Sequence, residues 1–66
     1  GDTDAMNNLG AIRHAAGRLL EAEALWRQAA DLGNAFAMTN VGSALWNRGL
    51  REEAEDWWRK GRDHGF

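Results

Sequence analysis

Residues 21–33, EAEALWRQAADLG, and residues 53–65, EAEDWWRKGRDHG, are one segment written twice. Glu21, Ala22, Glu23, Trp26, Arg27, Asp31 and Gly33 return as Glu53, Ala54, Glu55, Trp58, Arg59, Asp63 and Gly65. The match extends toward the amino terminus in the same register. Ala5, Met6, Asn8 and Gly10 return as Ala37, Met38, Asn40 and Gly42, and Gly17 returns as Gly49. Every pair is 32 positions apart, as 53 is from 21, and no gap interrupts the series. Two unrelated helices would not hold one register for so long, so the chain is a duplicated unit, with repeat one at 1–32 and repeat two at 33–66.

Each unit reads as two helices. Asp2 and Asn34 are suited to cap the first helix of a unit, because a short side-chain oxygen can accept from a free backbone N–H of the first turn. The first helix, helix A, is predicted over 3–15 and 35–48. Gly17 and Gly49 end it, since glycine enters the left-handed backbone region without steric cost. Helix B is predicted over 19–32 and 50–64, ending near Gly33 and Gly65. Ala22, Leu25, Trp26, Ala29 and Leu32 form one apolar stripe along the first helix B. On its other face Glu23 stands four residues before Arg27, the favourable orientation for a helical ion pair, and Glu55 with Arg59 repeats the arrangement. Along helix A, Ala5, Leu9, Ile12 and Ala16 make a stripe mirrored by Ala37, Val41, Ala44 and Arg48.

Composition narrows the function classes. A chain of 66 residues has room for one small core, which rarely contributes more than roughly 3–5 kcal/mol. There is no cysteine for a disulfide and no His, Asp and Glu cluster at metal-ligand spacing. Support must come from helix packing, from oligomerisation or from a larger parent protein. A net charge of −2 and a pI near 5.5 argue against a nucleic-acid partner, which requires a basic stripe for phosphates. The same balance, with no apolar run near the roughly 20 residues that span a bilayer, argues against a membrane partner. Absence of cysteine is compatible with a reducing cytosol. Absence of proline and abundance of alanine favour helix throughout. The bias of arginine over lysine hints at a GC-rich, bacterial source.

The positions that recur resemble the tetratricopeptide repeat and, more closely, its Sel1-like relative. Leu9-Gly10, Gly17, Ala22, Trp26 and Ala29 are similar to the L-G, G, A, aromatic and A signature of the family. The connector AADLGNAFAMTNVG, from Ala29 to Gly42, resembles the Sel1 form, with Val41 in place of leucine. The proline that commonly follows helix B is absent, and Arg13 stands where an apolar residue is usual. This resemblance implies an all-α fold, two helix-turn-helix repeats whose four antiparallel helices form a short right-handed α-α superhelix. It implies close approach of helices A and B at Gly10 and Gly42, and it implies a non-enzymatic protein-protein interaction module with no cofactor.

In such solenoids the A helices line a concave surface that holds a peptide or partner helix. The resemblance places Asn7, Asn8, Ala11 and His14 on that surface in the first unit, and Thr39, Asn40, Ser43, Trp46 and Asn47 in the second. Asn8 and Asn40 stand where the family often uses asparagine on a peptide backbone; an amide both donates and accepts, and it can equally bond solvent or a neighbouring helix. Trp46 is either an aromatic anchor for a ligand or a packing residue against helix B or the Gly49 turn. His14 is either a pH-sensitive contact or a solvated helix-end residue.

Gly1 aligns with Gly33, so the chain opens where a preceding repeat would end, the pattern of a piece of a longer array or of copies that stack to complete one. Arg62 in place of Ala30 puts a charge where a following repeat would dock. By register Trp58 belongs in the core like Trp26, while Trp57 and Phe66 mark an edge for self-association, the alternative function, with a homo-oligomer as its product. Catalysis finds little support. His14 and His64 lie in different units, Ser43 has no His or Asp at triad spacing, and Glu52, Glu53, Glu55 and Asp56 crowd one helix start, where they complement the dipole.

Overall fold

A computed structural model of the protein describes residues 2–65. Four helices follow in order: α1 (Asp2–Ala15), α2 (Leu19–Asp31), α3 (Ala35–Asn47) and α4 (Arg51–Gly65). No strand occurs among the described residues. Each helix packs on the next, α1 on α2, α2 on α3 and α3 on α4, the arrangement of an all-α helical repeat.

The three turns are built alike. Gly17, Gly33 and Gly49 have φ of 82°, 97° and 83°, the left-handed conformation in which any side chain is strained. At each turn the residue after the glycine donates back six positions inclusive: Arg18 N–H to the Arg13 carbonyl at 2.9 Å, Asn34 to Ala29 at 3.1 Å and Leu50 to Leu45 at 2.9 Å. The glycine N–H reaches the carbonyl three residues before it, at 2.9–3.0 Å. This is the Schellman closure, which satisfies carbonyls that a helix end leaves open.

Helix starts divide the two predicted caps. Asn34 has extended backbone, and its Oδ1 accepts from the Ala37 N–H at 2.9 Å. Asp2 instead lies inside α1, where it joins Asp4 in the first turn and complements the positive end of the dipole.

The core sits on the junction between the repeats. Its buried apolar residues are Ala22, Trp26, Ala29 and Ala30 of α2, Ala37, Met38, Val41 and Leu45 of α3, and Ala54 of α4. Small residues dominate because the helices approach closely. A Cβ on Gly10 would stand 2.5 Å from Trp26 Nε1, and one on Gly42 would stand 2.5 Å from Trp58 Nε1. Each indole therefore lies flush on a glycine of the preceding helix. Its N–H donates to a carbonyl one turn earlier, Trp26 to Asn7 at 3.0 Å and Trp58 to Thr39 at 3.1 Å. Repeat offset and hydrogen bond agree, since 39 is 32 beyond 7.

Equivalent positions are not equally covered. Val41 is 0% exposed and its counterpart Leu9 39%; Ala37 is buried and Ala5 exposed. The α3 stripe faces α2, whereas no element of the described residues covers the same stripe of α1. Ile12 is likewise exposed. Trp58, predicted to be core like Trp26, is only half-buried for the same reason: α3 follows α2 and covers Trp26 from the far side, whereas no described helix follows α4 to do the same for Trp58. Trp57, predicted on the shoulder, packs half-buried against the core, with Lys60 Nζ 4.4 Å from its ring centroid. Leu32 leaves its predicted stripe, because the turn at Gly33 breaks the helical register there; Ala30 is buried in its stead.

Candidate functional site

The faces of α1 and α3 adjoin, tied by side chains. Asn34 Nδ2, at the start of α3, donates to Asp4 Oδ1 at 3.0 Å and to Thr3 Oγ1 at 3.3 Å. One turn on, Asn40 Nδ2 donates to Asn7 Oδ1 at 2.8 Å. Both amides are half-buried. Each spends one group on the other, so the pair keeps one amide donor and one amide acceptor in either orientation of the two side chains. A peptide group needs that complement of one acceptor and one donor.

Around this pair Asn8, Ala11, Ser43 and Asn47 are exposed. Thr39 is placed differently. Its Oγ1 donates to the Ala35 carbonyl at 3.3 Å and stands 3.0 Å from where a Cβ on Gly61 would be. It belongs to the packing of α3 on α4.

His14 and Trp46 occupy the same position of the repeat and do the same thing. The His14 ring lies 5.5 Å from Trp26 at 38°, and Trp46 lies 5.3 Å from Trp58 at 32°. Both rest on the helix-B tryptophan of their own unit. Trp46 also carries the Arg51 guanidinium 4.8 Å from its centroid, yet stays 38% exposed. Packing against α4 and an open aromatic edge therefore coexist at one residue.

A feature that the repeat pattern did not suggest is an apolar cleft of about 270 Å³ at the edge, lined by His14, Leu19, Leu20, Glu23, Ala44, Asn47 and Arg48. Its signal was in the sequence. Leu19 and Leu20 align with Arg51 and Glu52, so the apolar doublet departs from the repeat, and Leu20 is exposed.

Beside the cleft Glu23 receives Arg48 Nη1 on both oxygens, at 2.8 and 2.9 Å. The predicted helical pair also forms, with Arg27 Nη2 3.9 Å from Glu23 Oε2, so the carboxylate is shared and the long-range partner is the nearer one. In the second repeat Arg59 pairs with Asp56 at 3.3 Å rather than with Glu55. Phe66, predicted at the association edge, lies outside the described residues, as does Gly1.

Among the described residues, no group of three or more His, Cys, Asp or Glu could hold a metal ion. No described helix is long and apolar enough to cross a membrane. The adjoining faces of α1 and α3 carry amides, a hydroxyl and the open edge of an indole.

Comparison with known proteins agrees with this architecture. No curated protein and no solved structure matches the chain significantly. A family model described as tetratricopeptide repeat matches twice, over residues 3–34 and 37–63, and each match takes in one helix pair. Repeats of this type generally mediate protein-protein interaction and are a non-enzymatic repeat type. The chain belongs to the tetratricopeptide repeat family.

Proposed function

We propose that this chain is a non-enzymatic scaffold or adaptor that holds an extended peptide or a partner helix across the adjoining faces of α1 and α3. The units are 1–32 and 33–66, in the Sel1-like form of the repeat, whose connector the segment from Ala29 to Gly42 resembles. The amide pair carries the reading: Asn7 and Asn40 are held 2.8 Å apart and keep a donor and an acceptor for a ligand backbone. Asn8, Ser43 and Asn47 extend the polar track, and the open edge of Trp46 gives it an aromatic end. His14 continues the track in the first unit, and Thr39 shapes it from behind by fixing α3 on α4.

Peptides selected on the chain from a displayed random library provide the test. Asn8→Ala with Asn40→Ala removes two amides, each worth about 1 kcal/mol as a hydrogen-bonding group. The selected peptides should bind about tenfold more weakly or worse, while Gln28→Ala on the far helix should leave them unchanged. Equal affinity for the double variant would remove the assignment of this face.

A second reading is self-association through the end faces. The open stripe of Ala5, Leu9 and Ile12 on α1 and the half-buried Trp58 on α4 favour it.

A further inference from the structure

We infer that the peptide held by this chain carries a bulky apolar residue between acidic ones, and that the cleft at Leu19 and Leu20 receives that residue. The inference rests on the reading of the α1–α3 face as a peptide track and adds to it the chemistry of the ligand. The cleft is built from both repeats: Leu19 and Leu20 open α2, Ala44 and Arg48 stand at the end of α3, and His14 at the end of α1. Leu19 is 56% exposed and Leu20 72%. The second repeat has Arg51 and Glu52 in their places, so the packing common to the two repeats does without an apolar pair there. Glu23 and Arg48, bonded at 2.8 and 2.9 Å, tie the α2 wall of the cleft to its α3 wall. An apolar cavity of about 150 Å³ holds a benzene. The cleft, at about 270 Å³, has room for one leucine or phenylalanine side chain.

The rim selects the neighbours of that residue. Arg13 and Arg18 share the Glu21 carboxylate at 4.0 and 3.5 Å, and Arg27 and Arg48 share Glu23 at 3.9 and 2.8 Å. Two carboxylates thus serve four guanidiniums, which leaves two positive charges in excess beside the leucines on a chain whose net charge is −2. All four arginine side chains stay at least 40% exposed. Each guanidinium carries five N–H donors and can take a second carboxylate. Aspartate or glutamate beside the apolar residue complements this rim, and lysine or arginine there is repelled.

His14 and Asn47 line the cleft and also end the polar track, so one peptide can occupy both. Asn7 to His14 and Asn40 to Asn47 each span seven positions, about 10 Å of helix. An extended chain covers that length in about three residues. The apolar residue therefore stands about three residues from the peptide group that bonds the Asn7 and Asn40 amides.

Peptides selected on the chain from a displayed random library, then synthesised and titrated by fluorescence anisotropy, provide the test. The selected sequences should share Leu, Met or Phe with Asp or Glu on either side, and raising salt from about 0.05 to 0.5 M should weaken binding several-fold. Leu20→Ser changes an exposed residue, so it should keep the helical circular dichroism and bind about tenfold more weakly. Replacing the peptide's apolar residue by alanine should cost about as much on the wild type and add little on Leu20→Ser. If Asn8→Ala with Asn40→Ala weakens binding while Leu20→Ser and the alanine peptide do not, the track stands and the cleft assignment is overturned. If the cleft changes weaken binding and the asparagine changes do not, the track falls and the shared register falls with it. Apolar residues without acidic neighbours, or binding indifferent to salt, overturn the acidic ligand. A library that yields no binder overturns both readings.

Discussion

Replacing Gly10 by alanine sets two large terms against each other. In an exposed helix the change gains about 1 kcal/mol, because glycine loses more backbone entropy. Here the new Cβ would stand 2.5 Å from Trp26 Nε1, 2.6 Å from Cδ1 and 3.1 Å from Cε2, about 1 Å inside the optimum for such contacts. The indole must withdraw, and it has little room, since Trp26 is 6% exposed beneath α3. Overpacking of this kind costs about 1–3 kcal/mol. Withdrawal also breaks the 3.0 Å bond to the Asn7 carbonyl, a further ~1 kcal/mol. The net is a loss of about 2 kcal/mol against a core that supplies only ~3–5. Urea unfolding followed by far-UV circular dichroism should show the midpoint falling by about 2 M, taking a slope of ~1 kcal/mol/M for so small a chain. Gly42→Ala should cost about as much, ~2 kcal/mol, because its Cβ would meet Trp58 at 2.5 Å and also the Ala54 backbone carbonyl at 3.0 Å, which offsets the greater freedom of the half-exposed Trp58. A Gly10→Ala variant as stable as the parent would refute the account of the tryptophan-on-glycine contact.

Other outcomes follow from the same geometry. Asn34→Ala removes the cap on Ala37 and both bonds to the start of α1, and thermal melts should report a loss of about 1–2 kcal/mol. Gly33→Ala meets no atom within 4 Å but is held at φ 97°, so its cost should be purely backbone, about 1–2 kcal/mol, and Gly33→Asn should recover part of it. A double-mutant cycle on Glu23 and Arg48 should give a coupling of about 0.5–1 kcal/mol that falls in ~1 M salt. The same cycle on Glu55 and Arg59 should give none.

What the sequence made legible was whatever depends on local geometry or on the repeat. The 32-residue offset placed the helices to within one or two residues, because glycine turns and apolar stripes are short-range signals. Gly10 and Gly42 were readable as points of close approach, although the atom that fills the space, the indole nitrogen, was not. Less legible was anything set by a neighbour. Leu9 and Val41 share a register and differ in exposure because α2 lies against only one of them. The pair of Glu23 with Arg27 was legible by counting four residues along one helix, but Arg48, which reaches the same carboxylate more closely from another helix, was not. Leu32 lost its place in the stripe through the turn it introduces. Of the predicted interaction residues, Asn7 and Asn40 are brought together, Asn8, Ser43 and Asn47 lie exposed, and Thr39 is drawn into the α3–α4 packing by Gly61.

The packing residues and the proposed interaction face are not separate systems in this fold. Trp26 and Trp58 each lie on a glycine, and each donates to a carbonyl of the same helix, at Asn7 and Thr39. Those carbonyls belong to the turn that carries the asparagines at positions 7, 8 and 40. The same two indoles support His14 and Trp46 at 5.5 and 5.3 Å, toward the other end of the face. One tryptophan per repeat, buried in the first and half-buried in the second, thus fixes both ends of the proposed surface. Its rigidity comes from sterics, since a ring pressed on a glycine has one resting place, and from the bonded N–H, which sets the rotation of the ring within that place. The second repeat holds its indole less firmly, because one side of Trp58 is open. Covering that side, by any neighbour of matching shape, would stiffen Trp46 from below, so a contact at the end of the stack would act on the proposed face through that one residue.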